Sequence, residues 1–389
     1  MRAMRAFLPF LLSLFSTATV QAQWWEVKTS GIDSNLRGVS VAEMPDAKGV
    51  PVPVVWASGS NGAILRSIDE GKTWKRLHVS GSDTLDFRGI VAFSEKIAYV
   101  MSSGEGEKSR IHKTTDGGET WKLQYTDKRK EFFLDSIACF SEKNCVALSD
   151  PVDGKFLLLS TTDGEHWNAL PRDNMPLALP NEGAFAASNT CLALSEDEDS
   201  EIFFGTGGTR AARYFHSFDL GLTWTVVETP IASGKPSAGI FSLGLGEHNE
   251  IIAMGGDYKE PISTDHVAAY SFDGGKTWKP AAQQPGGYRS AVAHLDGAKW
   301  VAVGPSGADT SDDSGVHWKH TDSLNLNAVS ILDPKHGWAV GPKGTVARFV
   351  DRAIPCRRSR GKRPARTSRC PLNQEGILSR VEPETTISS

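Results

Sequence analysis

Charged residues recur at one point of a repeating pattern, where a ring of them could bind a ligand. Seven short apolar runs are each preceded by one residue at an equivalent position, in chain order Arg37, Arg88, Asp135, Glu182, Ala238, Arg289 and Asn327. If these runs surround one axis, the arginines form a basic arc and the two acids face it. Such a polarised opening favours a ligand with a carboxylate or a dipolar end. Mutual salt bridges, with no ligand, are the alternative explanation.

Loops predicted to lie on the same face add further binding candidates. The charged and aromatic residues of these loops include Asp150, Arg210, Asp257 and Tyr258. The segment 255–266 is the longest of these loops, and long loops on a rigid scaffold often carry binding residues. The glycine-rich run 205–208 could hold an anion, but it leads into a strand rather than a helix, so a phosphate loop is not favoured.

Two carboxylates could also catalyse hydrolysis. Glycoside hydrolysis needs two carboxyl groups about 5–10 Å apart beside an open groove. Asp135 with Glu182, or Asp150 with Glu182, could supply them. No tyrosine with a neighbouring glutamate offers a nucleophile pair, and no cysteine or histidine spacing resembles a zinc site. We therefore expect no catalytic residues, no metal and no cofactor, and we keep a glycosidase as the alternative.

A repeated motif of the form Ser/Thr-x-Asp-x-Gly-x-x-Trp marks the structural units that position the charged residues named above. It occurs five times in full and once, at 161–167, in a version that is one residue shorter. Successive aspartates are 47, 47, 56, 54 and 40 residues apart, which indicates a stacked or radial repeat. The aspartate and tryptophan of each copy are Asp69 and Trp74, Asp116 and Trp121, Asp163 and Trp167, Asp219 and Trp224, Asp273 and Trp278, and Asp313 and Trp318.

Each motif is interpreted as a structural turn between two strands. Its aspartate can accept backbone N–H groups of the turn, its glycine can adopt positive φ, and its tryptophan can bury a large ring between sheets. Three short alternating runs precede each motif and one follows it, for example 38–41, 54–57, 63–66 and 75–79. Four strands per repeat predict the blade of an all-β propeller.

The two ends of the repeat region predict how the propeller closes. The last repeat has three strand-like runs and no motif, whereas Trp24–Lys28 resembles the stretch from each motif tryptophan onward. We therefore predict a seven-bladed β-propeller in which the N- and C-terminal strands share one blade. Closure removes the two open edges that the alternative, an open solenoid, would expose.

The composition divides the chain into three predicted segments. Residues 1–22 resemble a signal peptide, with two arginines, an apolar run at 7–15 and small residues at Val20 and Ala22. An uncleaved anchor helix is the alternative. Residues 23–350 form the predicted propeller, and residues 351–389 a basic, disordered tail. We expect a monomer exported to the periplasm or secreted, with no transmembrane segment in the mature chain.

Charge and cysteine usage refine this prediction. The whole chain has a net charge of −4, so it is not an obvious nucleic-acid binder. Without 1–22 and 351–389 it has 31 basic and 42 acidic residues, so the basic tail could contact a polyanion or could be an unrelated extension. Cys139 and Cys145 flank a tight turn between two strand-like runs, where a disulfide is plausible in an exported protein.

The repeat resembles the Asp-box, or BNR, repeat, which occurs in sialidases, xyloglucan-cleaving glycosidases, sortilin-type receptors and the photosystem II stability/assembly factor family. Seven blades, the export signal and the run Gly337-Trp338-Ala339-Val340-Gly341 look most like the last family and its non-photosynthetic bacterial relatives. That resemblance implies a non-catalytic propeller that binds a protein or peptide, with a membrane-protein subunit as partner. The Arg-Ile-Pro motif and the six blades of sialidases are not found in this sequence.

Overall fold

Seven four-stranded antiparallel sheets form the fold in the computed structural model, which describes residues 24–45, 49, 51–195 and 200–350. The sheets are the blades of a β-propeller, as the repeat predicts. One turn of 3₁₀-helix at Gly106–Lys108 is the helical element of these described ranges. The predicted signal peptide and basic tail lie outside the described residues.

Each blade runs from an inner strand at the axis to an outer strand at the rim. Blade 1 comprises β2 (Leu36–Pro45), β3 (Pro51–Gly59), β4 (Ile64–Ser67) and β5 (Lys75–Leu77). Blade 2 comprises β6 (Asp86–Ala92), β7 (Ala98–Ser103), β8 (Arg110–Thr114) and β9 (Lys122–Thr126). Blade 3 comprises β10 (Leu134–Cys139), β11 (Cys145–Val152), β12 (Lys155–Thr161) and β13 (Asn168–Ala169). Blade 4 comprises β14 (Leu192–Leu194), β15 (Ile202–Gly205), β16 (Ala212–Ser217) and β17 (Thr225–Thr229). Blade 5 comprises β18 (Ala238–Leu245), β19 (Ile251–Asp257), β20 (Ala268–Ser271) and β21 (Lys279–Pro280). Blade 6 comprises β22 (Ala291–Asp296), β23 (Lys299–Gly304), β24 (Gly307–Ser311) and β25 (Lys319–Asp322).

Blade 7 closes the ring with strands from both ends of the described chain. It comprises β26 (Ala328–Asp333), β27 (His336–Val340), β28 (Val346–Phe349) and, at the rim, β1 (Trp25–Lys28). β1 pairs with β28 from Trp25 opposite Phe349 to Lys28 opposite Val346, and the rings of Trp25 and Phe349 are 5.3 Å apart. The prediction that the terminal strands share one blade is therefore confirmed.

The closing ladder gives a test of its own. Trp24 O accepts the Val350 N–H at 2.9 Å, so by antiparallel alternation the N–H of Glu26 points at β28 and that of Val27 points away from it. Glu26→Pro removes a ladder donor and should lower the free energy of unfolding by about 1–2 kcal/mol in urea titrations. Val27→Pro, the matched control, should change it by less than about 0.5 kcal/mol, and equal losses in the two variants would contradict this register.

The Asp-box turns have the geometry that their residue types predict. In blade 1 the Ser67 hydroxyl accepts the Gly71 N–H (2.9 Å) and donates to Asp69 Oδ1 (2.8 Å), and Gly71 has a φ of 72°. Asp69 also accepts the N–H (2.9 Å) and the hydroxyl (2.6 Å) of Thr73. The turn is therefore fixed by contacts within seven residues, which is why the sequence motif identifies it so well.

Most of the Asp-box tryptophans bond within their own turn. The indole N–H donates to the carbonyl of the box glycine at 3.0–3.2 Å in Trp121, Trp224, Trp278 and Trp318. In the shorter box the Trp167 N–H donates instead to Gln124 Oε1 at 2.9 Å. The rings themselves pack between neighbouring blades, so each turn also fixes the spacing of two sheets.

Blade 4 departs from the regular pattern at its inner strand. The sequence alignment begins this strand next to Glu182, but β14 begins only at Leu192, and Gly183 forms an isolated bridge to Gly207. The residues between leave the sheet. The spacing of 56 residues between Asp163 and Asp219, nine more than the regular 47, accommodates this excursion.

Candidate functional site

The excursion from blade 4 fills the central channel. Residues 184–190, which we call the plug, bond to the inner-strand side of four other blades. Its bonds run from Arg88 Nη1 to Ala186 O (3.0 Å), from Ser136 Oγ to Asn189 O (2.8 Å), from Thr190 Oγ1 to Ser242 Oγ (2.7 Å) and from Ser188 Oγ to Ser290 O (2.7 Å). One segment can reach blades 2, 3, 5 and 6 only from within the channel. The repeat pattern does not predict the plug, although the long 163–219 interval is a signal of it.

Two arginines lie at the channel mouth, the end where the inner strands begin. Arg37 Nε is 3.4 Å and Arg88 Nε is 2.8 Å from the same oxygen, Asp86 Oδ2. Both arginine side chains are 27% exposed. Burial, and next the like charge of Arg88, lower the pKa of Arg37. Because one carboxylate serves two guanidinium groups, this part of the mouth retains a positive charge that an anionic ligand could neutralise.

An aromatic cluster borders the arginine pair. Phe185 of the plug stacks on Phe241 with ring centroids 3.9 Å apart, and Phe241 lies 4.8 Å from Tyr288 and 6.1 Å from Tyr258. Tyr288 also interacts electrostatically with Arg37. The Tyr258 side chain is 47% exposed and therefore available to a ligand. Of these aromatic residues, Tyr258 alone is a site residue predicted from the sequence.

The acids Asp135 and Asp150 lie behind the mouth rather than in an open groove. Asp135 is 1% exposed, and neither of its carboxyl oxygens has a hydrogen-bond partner. Asp150 Oδ1 accepts the N–H of Ala184, the first residue of the plug, at 2.9 Å. Burial, and next the charge of Asp150, raise the pKa of Asp135 well above its usual range, and burial raises that of Asp150 to about 6.

Glu182 is part of a buried ion pair. Its carboxylate accepts hydrogen bonds from Arg213 Nε (2.7 Å), the Thr206 hydroxyl (2.6 Å) and the Leu179 N–H (2.7 Å). The repeat predicts that Glu182 faces the basic arc across the channel, and the structure corrects this because β16 of the same blade supplies its partner, Arg213. Neither Asp135 nor Asp150 forms with Glu182 a pair of carboxylates beside an open groove.

Arg289 also differs from expectation. Its side chain is 0% exposed, and it donates from Nε to Asp309 Oδ2 (2.5 Å) and from Nη1 to Ser306 Oγ (2.8 Å). It therefore does not join Arg37 and Arg88 in a basic arc, because β24 places Asp309 directly against it. Asn327 is likewise occupied: its Nδ2 donates to Asn35 Oδ1 and to Leu36 O, both at 2.7 Å.

The remaining candidates lie on the blade 4 and blade 5 side of the same face. Arg210 forms an exposed ion pair with Glu228 at 2.9 Å. Asp257 accepts the Lys259 N–H at 2.9 Å and lies 3.2 Å from Lys235 Nζ. Asp257 also borders a cavity of about 420 Å³, whose other lining residues include Ile231, Lys235, Ala238, Glu260 and His266. This cavity extends outward from Ala238, the mouth position of blade 5.

Other chemical features of the described chain are few. Cys139 and Cys145, opposite each other on β10 and β11, are joined by a disulfide bond. Among the residues that the structure describes, no group of three acidic, histidine or cysteine side chains is placed to hold a metal ion. In the same ranges, no helix has the length and apolar character needed to cross a membrane.

Comparisons with known proteins agree with this architecture. Residues 269–280 match the BNR/Asp-box repeat family. A search of curated proteins finds no significant match. The solved structure of YCF48 bound to D1 peptide is 16% identical with a TM-score of 0.58, covering 84% of this chain and 97% of that one.

Two further solved structures share the fold. YCF48 from Cyanidioschyzon merolae is 16% identical with a TM-score of 0.57, covering 84% of this chain and 98% of that one. The extracellular domain of the putative hybrid two-component system BT4673 from B. thetaiotaomicron is 13% identical with a TM-score of 0.54, covering 84% and 39%. The chain is thus a seven-bladed β-propeller built from Asp-box (BNR) repeats, similar in fold to YCF48.

Proposed function

We propose that this propeller binds a peptide or an extended protein segment at the channel mouth, as a non-catalytic assembly or stability factor does. The observation that carries the proposal is the pair Arg37 and Arg88, which share Asp86 beside the aromatic cluster. An anionic group of a peptide, either a side-chain carboxylate or the C-terminus, would form charge-assisted hydrogen bonds with this pair.

The surroundings of the pair suit a peptide more than a small anion. The exposed ring of Tyr258 offers an apolar surface at the outer end of the aromatic cluster, and tyrosine is a frequent anchor residue in interfaces. The cavity at Asp257 continues the surface outward and adds acidic groups for basic residues of the ligand. Because the plug fills the channel, we expect the peptide to lie across the mouth rather than to pass through the ring.

The carboxyl groups support binding rather than hydrolysis. A glycosidase needs one carboxyl group to exchange a proton with the substrate and a second to act as base or nucleophile beside an open groove. Glu182 is held by Arg213 and Thr206, and Asp135 is buried behind the plug. YCF48, which has the same fold, is described in complex with a peptide, and that supports the proposal by analogy.

The cellular setting is part of the same proposal. Residues 1–22 would direct export, 23–350 would form the mature propeller and 351–389 a basic extension. The Cys139–Cys145 disulfide supports an oxidising compartment, such as the periplasm or the cell exterior. An extended segment of an exported or membrane-protein subunit would be the partner.

A peptide library with free C-termini tests the site. We expect the wild-type protein to select peptides with acidic or C-terminal carboxylates, and the double variant Arg37→Gln/Arg88→Gln to bind them at least about 30-fold more weakly, because each charge-assisted hydrogen bond contributes about 1.5–3 kcal/mol. Fluorescence polarisation with the selected peptides measures the change. Arg76→Gln, at an exposed position on the outer strand β5, is the control and should bind normally. Equal affinity of wild type and double variant would exclude the mouth as the site.

A further inference from the structure

A buried carboxyl group without a partner stands out behind the mouth. Asp135 lies on β10, almost fully buried, and neither carboxyl oxygen accepts a hydrogen bond from the protein. An ionised carboxylate in such a place is costly unless a charge or a set of donors compensates it. Asp135 is therefore stable in this position chiefly as the neutral acid, and its ionisation must be accompanied by a change in its surroundings.

Three neighbouring groups from different elements determine what that change is. Asp150 on β11 adds a second acid, and the Cys191 thiol, just beyond the plug, interacts electrostatically with Asp135. Arg88 on β6 is the cation that acts on Asp135. Burial, and next the charge of Asp150, raise the pKa of Asp135, while Arg88 opposes this rise. Burial likewise raises the pKa of Asp150 to about 6.

Arg88 connects this acid pair to the mouth and to the plug. Its Nε contacts Asp86 at 2.8 Å, and its Nη1 donates to Ala186 O in the plug at 3.0 Å. The plug is also tied to the acid pair directly, because Asp150 accepts the Ala184 N–H. One guanidinium group thus links the peptide site, the plug and the environment of Asp135.

We propose that the Asp135–Asp150 pair is a proton-controlled switch for Arg88. When the pair is protonated, Arg88 holds Asp86 and Ala186 and offers its charge to the mouth. When Asp135 loses its proton to solvent, Arg88 turns toward the Asp135 carboxylate, releases the carbonyl of Ala186 and withdraws its charge from the ligand. The effect on ligand affinity rests on the proposed function, whereas the release of the plug does not.

The direction of the pH effect follows from the acids. Because burial raises both carboxyl pKa values above those of an unfolded chain, the folded protein keeps protons that the unfolded chain releases above about pH 4. The protonated acids therefore favour the folded state at low pH, and this advantage is lost as the pH rises. Asp150 loses its proton near its pKa of about 6 and then accepts the Ala184 N–H more strongly, whereas plug release follows the ionisation of Asp135, whose pKa is raised well above the ordinary value. Protection of the plug and peptide affinity should fall together as Asp135 ionises.

Hydrogen–deuterium exchange of the ligand-free protein tests the switch. With rates corrected for intrinsic pH dependence, we expect protection of the amides in 184–190 to fall about tenfold or more between pH 5 and pH 8.5 in the wild type. Asp135→Asn should keep this protection nearly constant, and Asp150→Asn should reduce its pH dependence. Asp312→Asn, an exposed acid that pairs with Lys319 outside the proposed binding surface, should behave as wild type. Constant plug protection in the wild type would overturn the proposal.

A second measurement separates the switch from the proposed function. Affinity for a histidine-free peptide selected from the library is measured at pH 5 and pH 8.5, and we expect about tenfold weaker binding at the higher pH in the wild type but not in Asp135→Asn. A pH-dependent plug without any peptide binding would reject the proposed function and keep the switch. Binding of equal strength at both pH values, with a constant plug, would reject the switch and keep the function.

Discussion

Replacing Arg289 with Met is expected to lower the free energy of unfolding by about 3–5 kcal/mol, although the sequence alone suggested an accessible binding residue. The Arg289 guanidinium is fully buried and bonds to Asp309, whose side chain is almost as completely buried. Removing the arginine would leave the Asp309 carboxylate in the protein interior with its main compensating charge gone. Equilibrium unfolding in urea measures this loss.

Two comparisons make the Arg289 experiment decisive. Arg210→Met removes one partner of an exposed ion pair with Glu228 and should change the free energy of unfolding by less than about 1 kcal/mol. The double variant Arg289→Met/Asp309→Leu removes both buried charges and should recover much of the stability. If Arg289→Met lowered the free energy of unfolding by less than about 1 kcal/mol, the guanidinium would be solvated, and Arg289 would again be a candidate ligand-binding residue.

Arg289 illustrates why the site was harder to predict than the fold. Repeat alignment correctly finds the residue that precedes each inner strand, but it does not show what the third strand of that blade places opposite it. Asp309 on β24 neutralises Arg289, and Arg213 on β16 neutralises Glu182. Arg37 and Arg88 share a single acid, and for that reason they alone of the three arginines predicted at the channel mouth keep charge for a ligand.

The fold could be predicted because its determinants are local. Ser67, Asp69 and Gly71 bond within one turn, so the motif is readable in the sequence, and six copies define the blades. Closure was predictable because the run Trp24–Lys28 repeats the pattern from each motif tryptophan onward. The plug depends instead on contacts such as Ser188 to Ser290, which are 102 residues apart and have no counterpart in other repeats.

The plug explains why Asp135 and Glu182, the two acids predicted at the channel mouth, have different environments. Asp135 and Glu182 occupy equivalent positions in the repeat, yet Glu182 accepts hydrogen bonds from three residues and Asp135 accepts none. The difference arises because the chain leaves the sheet after Gly183 and covers Asp135 from within the channel. A residue insertion in one blade thus converts an acid of the neighbouring blade from a surface group into a buried one.

Replacing Trp318 with Ala is expected to lower the free energy of unfolding by about 3–5 kcal/mol through the cavity that it leaves. The Trp318 ring is 1% exposed and packs against Ile252 of blade 5 and the other buried residues between blades 5 and 6. Trp121→Ala, at the corresponding position of blade 2, should have a smaller effect because that ring is only partly buried against its cluster.

The comparison of these two positions tests whether an Asp-box tryptophan stabilises through its ring or through its N–H group. Both indoles donate to the carbonyl of their own box glycine, Trp121 at 3.2 Å and Trp318 at 3.0 Å, so this hydrogen bond is common to both. If ring burial dominates, Trp318→Phe should lose only about 1–2 kcal/mol, and Trp318→Ala should exceed Trp121→Ala by at least about 1 kcal/mol. Equal losses at the two positions in urea unfolding would instead assign the stabilisation to the turn, because the turn is the feature that they share.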